Sequence, residues 1–256
     1  MTKEEAKAAL LAAGVDNAAG EARVLAEHYK GNIPPDVVQK RASRYPLQYL
    51  LGTWGFWREE YEVSPVCLCP RPDTEHLVEC AVNRLPQGAR FLDLCTGSGC
   101  VAISVLATRK DAEAVATDIF SETLALAGRN ARRNGVAERV RFVRSDVFAP
   151  IPAELQGERF DAILSNPPYL TEKEMTQLQP EVQFEPVAAL NGGADGLDFY
   201  REILNKWQHV LKKGGFFAFE IGCAQALPLQ GLAAECGRSC RVIKDYSGND
   251  RVVVLE

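Results

Sequence analysis

The tetrapeptide Asn166-Pro167-Pro168-Tyr169 carries the residue types best suited to chemistry in this chain. Each proline fixes φ and removes a backbone donor, so carbonyls in the turn are left to accept hydrogen bonds from another molecule. A bound NH2 group needs rigid acceptors of that kind. An amide or aromatic amine is a poor nucleophile because its lone pair is delocalised. Drawing its two N–H bonds toward the Asn166 side-chain oxygen and the Pro167 carbonyl returns density to nitrogen, and attack on an electrophilic methyl becomes feasible. Tyr169 offers a ring face to a flat acceptor and a favourable face to a cationic sulfur. No general base is required before attack, which agrees with only three histidines, His28, His76 and His209, none beside a motif. An ordinary Asn-Pro turn uses the same residues. This one, however, closes an apolar run at 160–164, and active sites of open α/β sheets lie at the carboxyl ends of strands.

A second group of residues supplies a ligand cradle. The run Cys95-Thr96-Gly97-Ser98-Gly99 follows a predicted strand at 91–94 and opens a predicted helix at 101–108, so backbone can approach a ligand closely there. Alone, such a turn also serves tight packing. The next strand, 114–117, hands over to Asp118, roughly 20 residues beyond the loop, the spacing at which an acid holds ribose hydroxyls. The third glycine of the dinucleotide fingerprint is missing, since Cys100-Val101-Ala102 follows Gly99. A nucleoside without phosphates therefore fits better than a dinucleotide. Farther on, Asp146 closes a third strand at 140–143, where its carboxylate could accept the exocyclic amine of adenine beside the Val147 amide.

These residues need a scaffold, and the pattern supplies one. Apolar strands alternate with amphipathic helices from residue 73 onward, which implies β-α-β units and a doubly wound, mostly parallel α/β sheet. The last strands, 215–221, 241–245 and 251–255, have one helix among them and predict an antiparallel edge. Residues 1–44 read as a helical domain, with Ala6, Leu10, Leu11, Ala22, Val24, Leu25 and His28 at helical spacing. Residues 45–72 read as a linker or hairpin, and 73–256 as the catalytic domain. With 256 residues, 46% hydrophobic, the chain can bury one large core and a small accessory one. Net charge is -5 with no long basic block, which argues against a partner held mainly through phosphates. No apolar run approaches the ~20 residues that span a bilayer, and the first residues lack a signal-peptide layout, so a cytoplasmic location is expected. The eight cysteines show no C-x-x-C pair and are expected to be reduced core thiols, with no metal site.

The chain resembles the HemK/PrmC family of protein-(glutamine-N5) methyltransferases. The likeness runs through Pro46-Leu47-Gln48-Tyr49 with Gly52, Pro70-Arg71-Pro72-Asp73-Thr74-Glu75, the run from Asp93 to Gly99, Asn166-Pro167-Pro168-Tyr169, Phe184-Glu185-Pro186 with Ala189-Leu190, Asp195-Gly196-Leu197, Glu220-Ile221-Gly222 and Asp250-Arg251-Val252. The resemblance implies a seven-stranded class I methyltransferase sheet with a small helical N-terminal docking domain. It also implies S-adenosyl-L-methionine contacts at Cys95, Thr96, Gly97, Ser98, Gly99, Asp118, Asp146, Val147 and Asn166. The acceptor it implies is the glutamine of a Gly-Gly-Gln loop in class I peptide chain release factors, bound by Asn166, Pro167, Pro168, Tyr169 and Glu185, with the enzyme a monomer. Cys95 stands where a glycine often opens the loop, Phe120 where a small polar residue is common, and the helical region is short. A ribosomal-protein glutamine and the N6 amine of DNA adenine present the same planar NH2. Acids in the 184–197 segment and the absence of a basic recognition insert favour protein over DNA. An inactive cofactor-binding scaffold is the alternative outside enzymes, and the intact tetrapeptide argues against it.

Overall fold

The computed structural model describes residues 1–256. Three amphipathic helices open the chain: α1 (Lys3–Ala12), α2 (Ala18–His28) and α3 (Pro35–Ala42). Their starts are written locally. Thr2 and Glu5 form a reciprocal capping box on α1, Asn17 accepts from the Gly20 amide at α2, and Pro35 takes the first position of α3, where no N–H is needed. Ala6, Leu10, Ala22, Leu25, Ile33 and Val38 meet in one apolar cluster. Leu11 and His28 do not join it; Leu11 is 65% exposed, because Leu10 already fills the stripe and the next residue is turned by about 100°.

The stretch 45–72, expected to be a linker or hairpin, holds a hairpin and a short helix before it. A short helix α4 (Leu47–Leu51) runs from Pro46 to Gly52, which stops it at φ +73°, and Leu47 packs into the helical cluster. An antiparallel hairpin follows, β1 (Thr53–Phe56) and β2 (Glu59–Glu62). Its buried face, Phe56 and Tyr61, belongs to the core of the large domain. Buried Asn130 fastens this hairpin to the glycine loop: its Oδ1 accepts from the Glu62 amide (2.7 Å), and its Nδ2 donates to the Glu62 and Ser98 carbonyls (3.0 and 2.9 Å).

The large domain continues as α5 (Glu75–Arg84), β3 (Arg90–Leu94), α6 (Cys100–Thr108), β4 (Glu113–Asp118), α7 (Ser121–Arg133), β5 (Val140–Arg144), α8 (Ala153–Gln156), β6 (Phe160–Ser165), α9 (Glu172–Met175), α10 (Asp198–Lys206), β7 (Leu211–Glu220), α11 (Ala226–Glu235), β8 (Cys240–Lys244) and β9 (Asp250–Leu255). The seven strands lie in the order β5-β4-β3-β6-β7-β9-β8. Neighbours from β5 to β7 are parallel, and β9 runs antiparallel to both β7 and β8. The predicted mostly parallel sheet with an antiparallel edge is therefore present. Helices cover both faces, which explains the nearly continuous apolar strands: Phe91 packs with Val101 and Ile103 on one side, Leu92 and Leu94 with Ile163 and Trp207 on the other. Chain order reverses at β3, which has β4 on one side and β6 on the other, so a crevice opens at its carboxyl end.

All eight cysteines are free. Cys67, Cys69, Cys80 and Cys100 are buried as expected, Cys95 and Cys240 are half-buried, and Cys223 and Cys236 are exposed. The last two sit in the turn after β7 and at the end of α11, where apolar sequence neighbours do not enclose them. No helix is long and apolar enough to cross a membrane.

Candidate active site

At the end of β3 the backbone turns sharply. Cys95, Gly97 and Gly99 all have positive φ (59°, 56° and 82°), so Cys95 adopts a conformation that glycine adopts without strain, at a cost of about 1 kcal/mol. Gly99 is required by packing, since a Cβ there would lie 2.7 Å from Ile103 Cδ1 and 3.2 Å from Ala127 Cβ. Gly97 is different: a Cβ would meet nothing within 4 Å. Asp118, at the end of β4, draws the loop in. Its Oδ2 accepts from the Gly97 amide and its Oδ1 from the Phe120 amide, both at 3.1 Å. Burial raises the Asp118 pKa while these backbone donors oppose the shift.

Together these residues wall a cavity of about 600 Å³. Cys95, Thr96, Gly97, Ser98, Asp118, Asp146, Val147 and Asn166 all line it, so the predicted cradle comes together; Gly99 lies behind the wall. Asp146 Oδ1 accepts from the Phe148 amide (2.9 Å), leaving its other oxygen free of protein donors. One carboxylate that sequence reasoning passed over lines the same cavity. Asp93 is 1% exposed, and a single oxygen, Oδ2, accepts from both Thr96 Oγ1 (2.6 Å) and the Ala102 amide (3.3 Å) in the first turn of α6. Burial raises its pKa to about 7 despite those two donors.

The tetrapeptide follows β6, whose last residue is locked to β3 by Ser165 Oγ donating to the Leu94 carbonyl (2.7 Å). Beneath it the 190–196 segment packs backbone against backbone: Leu170 donates to Leu190 O, Gly192 donates to Leu170 O, and a Cβ on Gly192 would lie 2.7 Å from Tyr169 Cα. Gln225 adds a further tie by donating to the Tyr169 and Gly196 carbonyls (2.9 and 3.1 Å). Pro167 and Pro168 are buried; Pro168 touches the cavity, and Pro167 lines neither the cavity nor the cleft described next. Asn166 Nδ2 donates to Thr74 Oγ1 (3.2 Å), which leaves Oδ1 without a protein donor. Burial, with Glu220 nearby, pushes the Tyr169 hydroxyl well above its ordinary range, so it remains protonated.

On the far side of Asn166 lies an open cleft of about 910 Å³ between the helical domain and the large one. Gln48, Trp54, Arg71, Tyr169, Glu185 and Glu220 border it, and Asn166 lines both cleft and cavity. The two domains are clasped along its edge by buried Arg41, which donates to Glu21 (2.5 and 3.0 Å) and Glu181 (2.9 Å). Glu185 is in the cleft, but its charge is matched: it is buried and ion-paired with Arg71, while Asp195 is paired with Arg201. The acids of the 184–197 segment thus carry less weight against a phosphate backbone than their sequence suggests, because Arg71 from far along the chain and Arg201 just beyond the segment offset them. Glu185 has its pKa raised by burial, with Arg71 opposing.

The chain matches the methyltransferase small domain family over residues 72–194. It is 42% identical to the release factor glutamine methyltransferase of Geobacter sulfurreducens over 85% of this chain and 75% of that one. With the release factor glutamine methyltransferase of Cereibacter sphaeroides it shares 40% identity over 95% of this chain and 93% of that one. Among solved structures, a methyltransferase from Pyrococcus furiosus shares the fold at 23% identity, with 76% of this chain and 87% of that one covered and a TM-score of 0.58. A strand-end Asn-Pro-Pro-Tyr between a cavity and a cleft, on a seven-stranded doubly wound sheet, at this level of identity over nearly the whole length, means that the chain belongs to the release factor glutamine methyltransferase family.

Proposed function

We propose that the protein transfers the methyl group of S-adenosyl-L-methionine to the side-chain amide nitrogen of a glutamine in class I peptide chain release factors, in the cytoplasm, leaving S-adenosyl-L-homocysteine. The observation that carries this reading is Asn166, which lines both the enclosed cavity and the open cleft and keeps an acceptor oxygen that no protein donor occupies. The cavity fits the cofactor in size and chemistry. Asp118 has lone pairs left for a ribose diol, Asp146 and the Val147 amide suit an adenine edge, and Gly97 leaves room where a side chain would intrude. Asp93 offers buried negative charge to the cationic end of the molecule. When bound, S-adenosyl-L-methionine supplies an electrophilic methyl on a sulfonium.

The remaining chemistry belongs to the chain. Asn166 Oδ1 and the Pro167 carbonyl accept the two N–H bonds of the glutamine amide, which returns lone-pair density to nitrogen and aims it at the cavity. Tyr169 holds the planar amide by its face. The buried prolines keep these groups from relaxing away, so little reorganisation is needed as charge develops. The cleft between domains suits an extended loop carrying glutamine between glycines, which lets the backbone approach closely. Mass spectrometry of a purified release factor after reaction should show one added methyl on the glutamine of its Gly-Gly-Gln loop, absent when that residue is alanine. Methylation of adenine N6 in duplex DNA, or of a ribosomal-protein glutamine, with the release factor unmodified, would refute the substrate assignment.

The cofactor half of the site has its own test. Asp118→Ala should weaken S-adenosyl-L-methionine binding by roughly 1.5–3 kcal/mol, the loss expected for a charge-assisted hydrogen bond. Titration calorimetry reads it directly, and unchanged affinity would place the ribose elsewhere.

A further inference from the structure

Every hydrogen bond that leaves residues 1–44 for residues 73–256 ends on one carboxylate, Glu181. Arg41 on α3 donates to its Oε1 (2.9 Å), and Arg44, just beyond α3, donates to its Oε2 (3.1 Å) with Nε 2.8 Å from Oε1. Arg44 does so from a left-handed backbone, φ +71°, which an L residue holds only where its surroundings fix it. Glu181 also belongs to the run that walls the cleft. Farther along that run, Phe184 packs edge-on against Tyr45 (5.3 Å between ring centres), Glu185 pairs with Arg71, and Leu190 O receives the amide of Leu170, the residue after Tyr169. A short run of chain thus ties the helical domain to the end of the catalytic tetrapeptide.

We propose that Glu181 is a positioning residue: by latching the helical domain to the catalytic one, it holds the cleft at the width that seats an acceptor protein with its glutamine at Asn166. This rests on the acceptor reading given above. Glu181 lines the cleft but not the cofactor cavity, so its loss acts on the acceptor and spares the methyl donor. Unlatched domains occupy the competent arrangement only part of the time, and affinity for an acceptor that spans both falls by that fraction. Burial works against the Glu181 charge, but the hydrogen bonds from Arg41 and Arg44 outweigh it and hold the carboxyl below its ordinary value. Glu181→Gln keeps the shape and removes the charge. Neither arginine is left bare, because Arg41 keeps Glu21 (2.5 and 3.0 Å) and Arg44 keeps the Gly14 carbonyl (2.6 Å), so the helical domain should stay folded.

With a release factor as acceptor, Glu181→Gln should raise the acceptor KM roughly ten- to fiftyfold, while kcat and S-adenosyl-L-methionine affinity stay within about threefold. Arg44→Met loosens the same latch from its other side. Combining it with Glu181→Gln should therefore cost no more than about twofold beyond Glu181→Gln alone, the non-additivity of partners in one contact. An unchanged KM, an equal loss in kcat or cofactor affinity, or additive effects in the double variant would each overturn the proposal. Hydrogen exchange without acceptor separates this from failure of the acceptor reading. In the free protein the Phe184 and Glu185 amides, which donate to the Glu181 and Val182 carbonyls, should exchange about tenfold faster in Glu181→Gln, with the Thr96 and Ala102 amides of the cofactor cavity wall unchanged. Equal exchange in wild type and variant would show that Glu181 latches nothing, whatever the acceptor.

Discussion

Asn166→Ala should leave a folded protein that binds S-adenosyl-L-methionine almost normally and transfers its methyl group about 10² to 10³ times more slowly, the loss typical of removing one preorganised polar group from an active site. The fold should survive because the side chain is only half-buried and makes one hydrogen bond, to Thr74. The cofactor cavity has many other walls, with Asp118 and the glycine loop at one end and Asp146 and Val147 at another. What the alanine removes is the acceptor for one substrate N–H, leaving the Pro167 carbonyl to act alone on a nucleophile whose lone pair is delocalised. Single-turnover rates with saturating cofactor isolate the chemical step, and calorimetry reports binding separately. Near-normal turnover would take Asn166 out of the mechanism, whereas a loss confined to cofactor affinity would move it to the cavity wall.

The sheet was legible because its strands are short, apolar and separated by turn residues. Phe91, Leu92 and Leu94 announce a strand covered on both faces, and Asp118 stands at the distance from the glycine loop that parallel strands impose. α4 was not legible as helix: five residues make little more than one turn, too few for periodicity, although Pro46 before it and Gly52 after it are the boundary signals such a helix leaves. The deeper half of the site was hidden for a different reason. Thr74 lies 92 residues from Asn166, and Arg71 lies 114 from Glu185, so only the folded sheet juxtaposes them. A single threonine or glutamate carries no local mark of its partner. Arg71 and Thr74 entered the sequence analysis only through a family resemblance, and the structure gives them physical neighbours, Glu185 and Asn166 respectively.

Asp93 is the residue whose replacement should reveal most about the cofactor cavity, because its carboxyl is buried in the absence of any cationic partner. Its pKa is about 7 in the folded chain against 3.8 for the ordinary side chain. Between those values the folded state holds a proton that the unfolded state has released, so more protons are bound when folded and stability falls as pH rises across that window. Three pH units correspond to about 4 kcal/mol. Asparagine has no such proton to hold. It also fits the site, because both donors, Thr96 Oγ1 and the Ala102 amide, converge on one oxygen, which the asparagine carbonyl can replace. Asp93→Asn should therefore differ little from wild type below pH 4 and become progressively more stable than wild type toward pH 8, when both are unfolded by urea without cofactor. Adding S-adenosyl-L-methionine should narrow that difference at pH 8, since its cationic end offsets the buried charge in the wild type and finds only a neutral amide in the variant, with an affinity loss of roughly 1.5–3 kcal/mol. A stability difference that stays constant from pH 4 to 8 would show that Asp93 is ionised throughout and that the cavity wall is already charge-compensated by the protein itself.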